Sequence, residues 1–174
     1  MVTVKKKKAV RLGARVFFYL YIIIMFYFVL LSERYGRETG YQTSHVNLVL
    51  FKEIQRFWNY RHLLSPEAVI TNLFGNIFAF SPFGFMIPII SKKAKGVIAA
   101  VFSTFMFSLL IESCQLVMKV GVFDVDDLLL NTVGGLIGYL AYWVSLKGYH
   151  FSQKRKQKNH NSKKIGRASC RERV

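Results

Sequence analysis

The chain has 174 residues, of which 52% are hydrophobic and 16 are phenylalanine, yet its formal net charge is +16. This combination indicates a membrane protein rather than a nucleic-acid-binding one, because the lysines and arginines flank apolar segments where anionic headgroups hold them. Only two cysteines are present, Cys114 in an apolar run and Cys170 in the tail, so no disulfide framework is expected.

The first apolar run predicts a transmembrane helix at residues 12–31, after a basic amino terminus at residues 1–11. A helix of this length spans about 30 Å, the thickness of the hydrocarbon core. A cleaved signal peptide is the alternative, but the run is too long for one. In addition, residues 32–34 lack the small side chains that a signal peptidase needs. We therefore expect an uncleaved anchor.

Three further runs predict transmembrane helices at residues 69–90, 97–117 and 128–146. Basic clusters precede the first run, link the second to the third and follow the fourth, which predicts cytoplasmic amino and carboxyl termini. The expected fold is all-α, a polytopic bundle of about four transmembrane helices. Residues 32–68 and 118–127 then lie on the outer face.

The outer loop at residues 32–68 contains a candidate interfacial helix. Its apolar residues recur at helical spacing with charged residues between them, a pattern typical of a helix lying on the membrane surface. These apolar residues are Leu50, Phe51, Ile54, Phe57 and Trp58. A loop folded over the bundle is the alternative. The sequence Ser65-Pro66-Glu67 predicts the start of the next span, with an N-cap, a first-turn proline and a first-turn acid.

The carboxyl-terminal tail falls into two parts. Residues 147–164 are basic and carry few groups to bury, which predicts disorder. Residues 165–174 read IGRASCRERV, which resembles the conceptual translation of a sequencing-library adapter. We expect these ten residues to be an artefact and assign them no function.

The second span carries two amides four residues apart, Asn72 and Asn76, which share one helical face in its outer half. Amides at this depth need partners, and such a pair commonly joins neighbouring helices. Further along, Pro82 and Pro88 predict a kink or break in the helix.

The third span ends with a carboxylate and an amide, Glu112 and Gln115, at spacing i, i+3. A carboxylate inside the membrane needs a cation, a polar ligand, water or an amide as partner. Lys119, seven residues further on, is a candidate cation.

The link to the fourth span is strongly acidic. Four of the nine acidic residues of the chain fall within sixteen positions, and helical spacing places Asp124, Asp127 and Asn131 on one face. Asp126 is expected to point elsewhere, as a helix cap or a solvated first-turn acid. Gly134 and Gly138 continue the face as small residues that allow close helix packing.

These polar residues are all expected in the outer half of the membrane. They predict an outward-facing pocket of acids and amides, suited to a cationic or polyhydroxylated headgroup, a divalent metal or a proton. A self-satisfied hydrogen-bond network that only fixes the fold is the alternative. The predicted pocket residues are Asn72, Asn76, Glu112, Gln115, Asp124, Asp127 and Asn131.

The order and spacing of these motifs resemble the VanZ family across residues 71–143, and more weakly through the first span. The matching residues are Asn72 to Asn76, Ser81 to Phe85, Pro88, Glu112, Gln115, Phe123 to Asp127, Asn131, Gly134, Gly138 and Tyr139. The resemblance implies a multi-pass protein of the bacterial plasma membrane, in a family whose namesake confers low-level resistance to the glycopeptide teicoplanin. Members commonly carry an arginine before the Phe-Asp pair, where this chain has Gly121-Val122. Lys119 is the candidate substitute for that arginine.

The expected function is binding or modification of a lipid headgroup or cell-wall precursor, which influences glycopeptide susceptibility. As an enzyme, the protein would use Glu112 as general acid or base, with Asp124 and Asp127 holding a divalent cation, although no metal-ligand motif is present. A small proton-coupled transporter and a non-catalytic membrane subunit are the alternatives. The expected partners are membrane lipids, a lipid-linked precursor or glycopeptide, and further copies of the chain in an oligomer.

Overall fold

A computed structural model describes residues 4–28, 46–63, 65–91, 96–119 and 122–171 of the chain. The predicted all-α class is confirmed, with five helices and two strands of two residues each. In chain order these are α1 (Val4–Phe26), β1 (Val46–Asn47), α2 (Lys52–Asn59), α3 (Pro66–Ile90), α4 (Val97–Met118), β2 (Phe123–Asp124) and α5 (Val125–Arg171). The chain divides into two compact units, residues 1–139 and 140–174.

Three helical segments are long and apolar enough to cross a membrane: Leu73–Ile90, Val97–Met118 and Val125–Lys158. They correspond to the second, third and fourth predicted spans. The first predicted span, residues 12–31, is helical as far as Phe26, and residues 29–31 lie outside the described part. A fourth crossing and the cytoplasmic position of the termini therefore stay predictions.

Helix α3 begins where the sequence predicts, at Pro66 with Glu67 in its first turn. It continues without interruption through Pro82 and Pro88 to Ile90, so the predicted break does not occur. A proline removes one backbone donor, and a helix packed against neighbours within a membrane tolerates that loss.

An aromatic cluster joins α1, α3 and α4 in the first unit. The rings of Phe83 and Phe107 stack with centroids 4.6 Å apart, and Phe18 of α1 packs against Phe83 at 5.5 Å. The Tyr21 hydroxyl of α1 donates to the Ala79 carbonyl of α3 at 2.5 Å. Burial of large rings and this hydrogen bond together fix α1 against the bundle.

Helix α5 packs against α3 through glycines. A Cβ at Gly138 would lie 1.9 Å from the Ser81 carbonyl oxygen, and one at Gly84 would lie 1.9 Å from the Gly135 carbonyl oxygen. A Cβ at Gly134 would come within 2.4 Å of the Ile77 carbonyl oxygen. Since no side-chain atom fits in these places, the two backbones are in direct contact.

The described part of the second unit, residues 140–171, is the continuation of α5. Residues 147–164, for which the composition predicts disorder, are helical here, and the helix extends through residues 165–171. Lys, Arg and Gln are good helix formers, and the segment lacks proline, so local propensity favours the helix although the described side chains from Trp143 to Lys158 are exposed. The Lys147 ammonium lies over the Trp143 ring at 3.6 Å.

Candidate functional site

A short parallel ladder brings the segment before α2 to the α4–α5 link. Val46 pairs with Phe123 and Asn47 pairs with Asp124. The side-chain amide of Asn47 donates to both carboxylate oxygens of Asp124, at 3.2 and 3.1 Å, and both residues are buried. Asn47 is not among the residues predicted for this site, because its partner lies 77 positions away in the sequence.

Asp124 also forms the start of α5. Its carboxylate accepts a hydrogen bond from the backbone N–H of Asp126 at 2.8 Å, the geometry of a helix N-cap. Its own backbone N–H donates to Oε2 of Glu112 at 3.3 Å. Asp124 was expected to share a helical face with Asp127 and Asn131, but it lies in β2, one residue before the helix begins.

Glu112 is 3% exposed and ends a buried stripe along α4. The stripe consists of Ala100, Thr104, Ser108 and Glu112, spaced four residues apart and therefore on one face. Gln115, which was expected to act with Glu112, is half-buried, and its side chain has no hydrogen-bond partner among the described residues. The partners of Glu112 thus come from β2 rather than from its own helix.

Asn131 lies below the acids on α5 and is 2% exposed. Its amide nitrogen donates to the Ser108 hydroxyl at 2.8 Å. The Asn131 Oδ1 atom is buried and has no hydrogen-bond partner within the described part of the chain. An orphaned buried acceptor of this kind calls for an explanation, since such groups are normally satisfied.

Asp127 connects α5 to α3. The side-chain amide of Asn76 donates to Asp127 Oδ1 at 2.6 Å. Of the two amides predicted on α3, Asn76 therefore reaches the acids, while the side chain of Asn72 lies outside the described residues.

Asp126 is the most buried of the three aspartates, with 1% exposure, so it is not the solvated acid that the sequence allowed. Its carboxylate accepts hydrogen bonds from the backbone N–H groups of Phe51, Glu53 at 2.8 Å and Ile54 at 3.2 Å. These groups form the start of α2, so Asp126 caps a helix far away in the chain rather than its own. Phe51 has a left-handed backbone, φ 64°, which is costly for a non-glycine residue and is sustained by these contacts.

The partners of the buried acids are uncharged in the described ranges. Each hydrogen bond to Glu112, Asp124, Asp126 and Asp127 comes from a backbone N–H or an asparagine amide. Glu112 is also within electrostatic reach of Asp124 and Asp127. The one ion pair among the described residues joins Arg56 and Glu53, both outside this cluster.

Lys119, the candidate counter-ion, does not pair with these acids. It is exposed, has a left-handed backbone with φ 54°, and ends α4 as its C-cap. Its N–H bonds to the carbonyl groups of Gln115 and Leu116.

Hydrogen bonds join the four acids to their neighbours. A shallow apolar groove lies on a different face of α4, lined by Met106, Leu109, Leu110, Ser113, Cys114, Val117 and Met118. Across the residues that the structure describes, no group of three or more His, Cys, Asp or Glu side chains is arranged to hold a metal ion.

Comparison with known proteins identifies relatives of this chain. The VanZ/LLP1 family model matches residues 18–146. Protein VanZ of Enterococcus faecium is 31% identical over 124 residues, which cover 66% of this chain and 75% of that protein. No solved structure matches the chain.

Proposed function

The chain belongs to the VanZ/LLP1 family, and from this premise we propose that it is a multi-pass protein of the bacterial plasma membrane that influences susceptibility to teicoplanin-type glycopeptides. It does so by binding a lipid headgroup or a lipid-linked cell-wall precursor at the buried acids and amides. The residues that contact this ligand are Glu112, Asp127 and Asn131, with Asp124 and Asn76 holding them in position.

The observation that carries this proposal is the excess of acceptors in the network. The carboxylates of Glu112, Asp124, Asp126 and Asp127 have only neutral donors among the described residues, and the buried Asn131 Oδ1 has no donor there. Buried carboxylates with neutral donors alone favour a ligand that supplies positive charge or several hydroxyl groups. Amino and hydroxyl groups of this kind occur on headgroups and on sugar-peptide precursors.

Ligand entry requires movement of the segment from Asn47 to Ile54. Asn47 covers Asp124, and the first turn of α2 covers Asp126. Breaking these contacts exposes the acids without disturbing the helices that carry them. The segment runs from β1 to the first turn of α2, and the hydrogen bonds that must break come from Asn47 and from the backbone N–H groups of Phe51, Glu53 and Ile54.

A proton-coupled transporter is the second candidate, favoured by the burial of Glu112 within α4 without a described cation. A carboxyl group in that position can exchange a proton for a cationic substrate. A single bundle of these helices would enclose too little volume for a pore, so transport requires an oligomer.

The test compares variants in a glycopeptide-sensitive host that expresses the gene without its last ten residues. Glu112→Gln and Asp127→Asn preserve shape but remove charge, so each should abolish the protection against teicoplanin while membrane insertion stays intact. Glu67→Gln, at an exposed acid in the first turn of α3, is the matched control and should keep full protection.

Inhibitory concentrations of teicoplanin and vancomycin provide the readout, together with the amount of protein in the membrane fraction. Unchanged protection in both acid variants would show that the carboxylates only maintain the fold. Protection that depends on a proton gradient, with uptake of a cationic substrate into vesicles, would favour the transporter.

A further inference from the structure

The segment from Leu48 to Leu63 exposes a continuous set of apolar and aromatic side chains. Leu63 is 80% exposed and Trp58 60% exposed, and the others are at least two-fifths exposed. The full set is Leu48, Val49, Leu50, Phe51, Trp58, Tyr60 and Leu63. So many large apolar groups within sixteen residues are not stable against water and require a covering surface.

The helix within this segment, α2, has two distinct faces. Ile54 and Phe57 are partly buried where α2 contacts α3. Trp58 lies on the same side, one turn beyond Ile54, but remains exposed. Lys52 and Arg56 lie on the opposite face. The protein therefore covers only part of the apolar face of α2, and the rest of that face, which includes Trp58, is exposed.

The position of α2 relative to α3 puts this uncovered face at a bilayer edge. Helix α2 ends at Asn59, α3 begins at Pro66, and the apolar stretch of α3 begins at Leu73. Six residues, 60–65, separate the two helices, and α2 also contacts α3, so α2 cannot lie far from the start of α3. Trp58 and Tyr60 suit this level, since amphipathic rings prefer the headgroup zone.

The charge of residues 48–63 indicates which kind of membrane surface they bind. They carry three cations and one acid. Arg56 pairs with Glu53 at 3.0 Å, which leaves Lys52 and Arg61 available. The Arg61 guanidinium lies 4.9 Å from the Trp58 ring centroid, so its charge sits beside the exposed aromatic face. A segment that carries these two cations together with many exposed apolar groups favours an anionic lipid surface.

We propose that residues 48–63 form a lipid-docking surface that lies on an anionic bilayer interface and is held in register by the Asp126 carboxylate. Trp58 and the leucines enter the headgroup boundary, and Lys52 and Arg61 contact lipid phosphates. Asp126 is a positioning residue, because it binds the first turn of α2 and touches no lipid. This proposal is independent of any effect on antibiotic susceptibility.

The two tryptophans of the chain, Trp58 and Trp143, allow a direct test. The Trp143→Phe variant is reconstituted in phosphatidylcholine vesicles that carry bromine either near the headgroups or near the chain ends. Trp58 emission should be quenched most by the shallow bromines and little by acrylamide. If acrylamide quenches Trp58 emission strongly and neither brominated lipid quenches it, the proposal is wrong. Trp58→Phe, which leaves Trp143 as reporter, is the matched control for reconstitution.

The charge preference is tested by adding phosphatidylglycerol to the same vesicles. Access of acrylamide to Trp58 should fall further, and the Lys52→Gln, Arg61→Gln double variant should lose this additional protection. Equal access with and without phosphatidylglycerol would contradict the anionic preference.

The role of Asp126 is tested by limited trypsin digestion of reconstituted protein. Asp126→Asn should accelerate cleavage after Lys52, Arg56 and Arg61, because the released α2 leaves its protected position. Glu67→Gln is the control and should be cleaved at the parental rate. If the Asp126 variant fails to insert, the Trp58 quenching still decides whether the segment docks on lipid.

Discussion

The two ends of the α4–α5 contact are both buried, but they are built differently. Along the stripe on α4, Thr104 meets Gly135, Ser108 meets Asn131, and Glu112 meets Asp124. At the Gly135 end a Cβ would lie 2.3 Å from the Thr104 hydroxyl oxygen, so the helices touch. At the other end polar groups make the contact, since the Asn131 amide donates to Ser108 and the backbone N–H of Asp124, in β2, donates to Glu112.

The residues at the glycine end therefore mainly determine packing, whereas the residues at the polar end can determine chemistry. At the glycine end no atom can be added, so substitutions there change assembly. At the polar end a group can be exchanged for one of equal size, which changes charge and hydrogen bonding while the backbones stay in place. If substitutions at the two ends impair assembly equally, this distinction between the ends is wrong.

The largest effect is expected for Gly138→Leu, three residues beyond Gly135 on α5, because a side chain there would occupy the position of the Ser81 carbonyl oxygen of α3. The cost should reach at least about 3 kcal/mol, the upper part of the range for overpacking. The protein should aggregate or fail to accumulate, as measured by fluorescence-detected size-exclusion chromatography after graded heating.

Gly148→Leu is the matched control, because a Cβ at Gly148 meets nothing within 4 Å. It should stay within about 0.5 kcal/mol of the parent, the usual range for surface substitutions. Loss of the folded peak for both variants would mean that leucine harms α5 by some other route than contact with α3.

An intermediate effect is expected for Asn131→Leu at the polar end. The change removes the hydrogen bond to Ser108 and leaves its hydroxyl without that partner, at a cost of about 1–3 kcal/mol. Adding Ser108→Ala should restore much of the stability, since both polar partners are then absent. Thermal stability in detergent and teicoplanin protection are measured together.

The double variant distinguishes the two roles of Asn131. Restored stability with lost protection would mean that Oδ1 serves a ligand, as proposed. Restored stability with full protection would instead assign Asn131 to packing.

The smallest effect is expected for Tyr21→Phe, far from both ends. It removes the hydrogen bond from the Tyr21 hydroxyl to the Ala79 carbonyl oxygen, worth about 0.5–1.5 kcal/mol, without changing ring packing. Tyr19→Phe, at a ring that is exposed on the same helix, should be neutral. If the midpoint of thermal unfolding falls for Tyr21→Phe but not for Tyr19→Phe, the hydrogen bond to Ala79 helps to fix α1. An unchanged midpoint for Tyr21→Phe would contradict that role.

Much of the fold was predictable from local sequence. The start of α3 at Pro66 and the extents of α3 and α4 follow from apolar length and from capping residues, which act over a few positions. The uninterrupted course of α3 through two prolines was not predictable, because packing by neighbouring helices outweighs the loss of a donor.

The acids themselves were predicted to matter, but their partners were not. Spacing alone treated Asp126 as the acid outside the site and placed Glu112 on one helical face with Gln115. The partners of Asp126 lie 72 to 75 positions away, and that of Asp124 lies 77 away. Helical periodicity carries no information over such distances. Two features could have indicated the contact between Asp126 and α2. The α4–α5 link carries three aspartates, and the amphipathic helix α2 begins without a side-chain cap of its own.

The sequence by itself determined the class of the protein, the helical segments and the concentration of acid at one link, because hydrophobic length and local propensity act within a single element. Tertiary structure alone decided that Asp126 holds α2, that Asn47 covers Asp124, and that the glycines of α5 touch the backbone of α3. The reason is that a buried carboxylate takes whichever donors the folded chain brings within reach, and only the packing of distant segments fixes which donors those are.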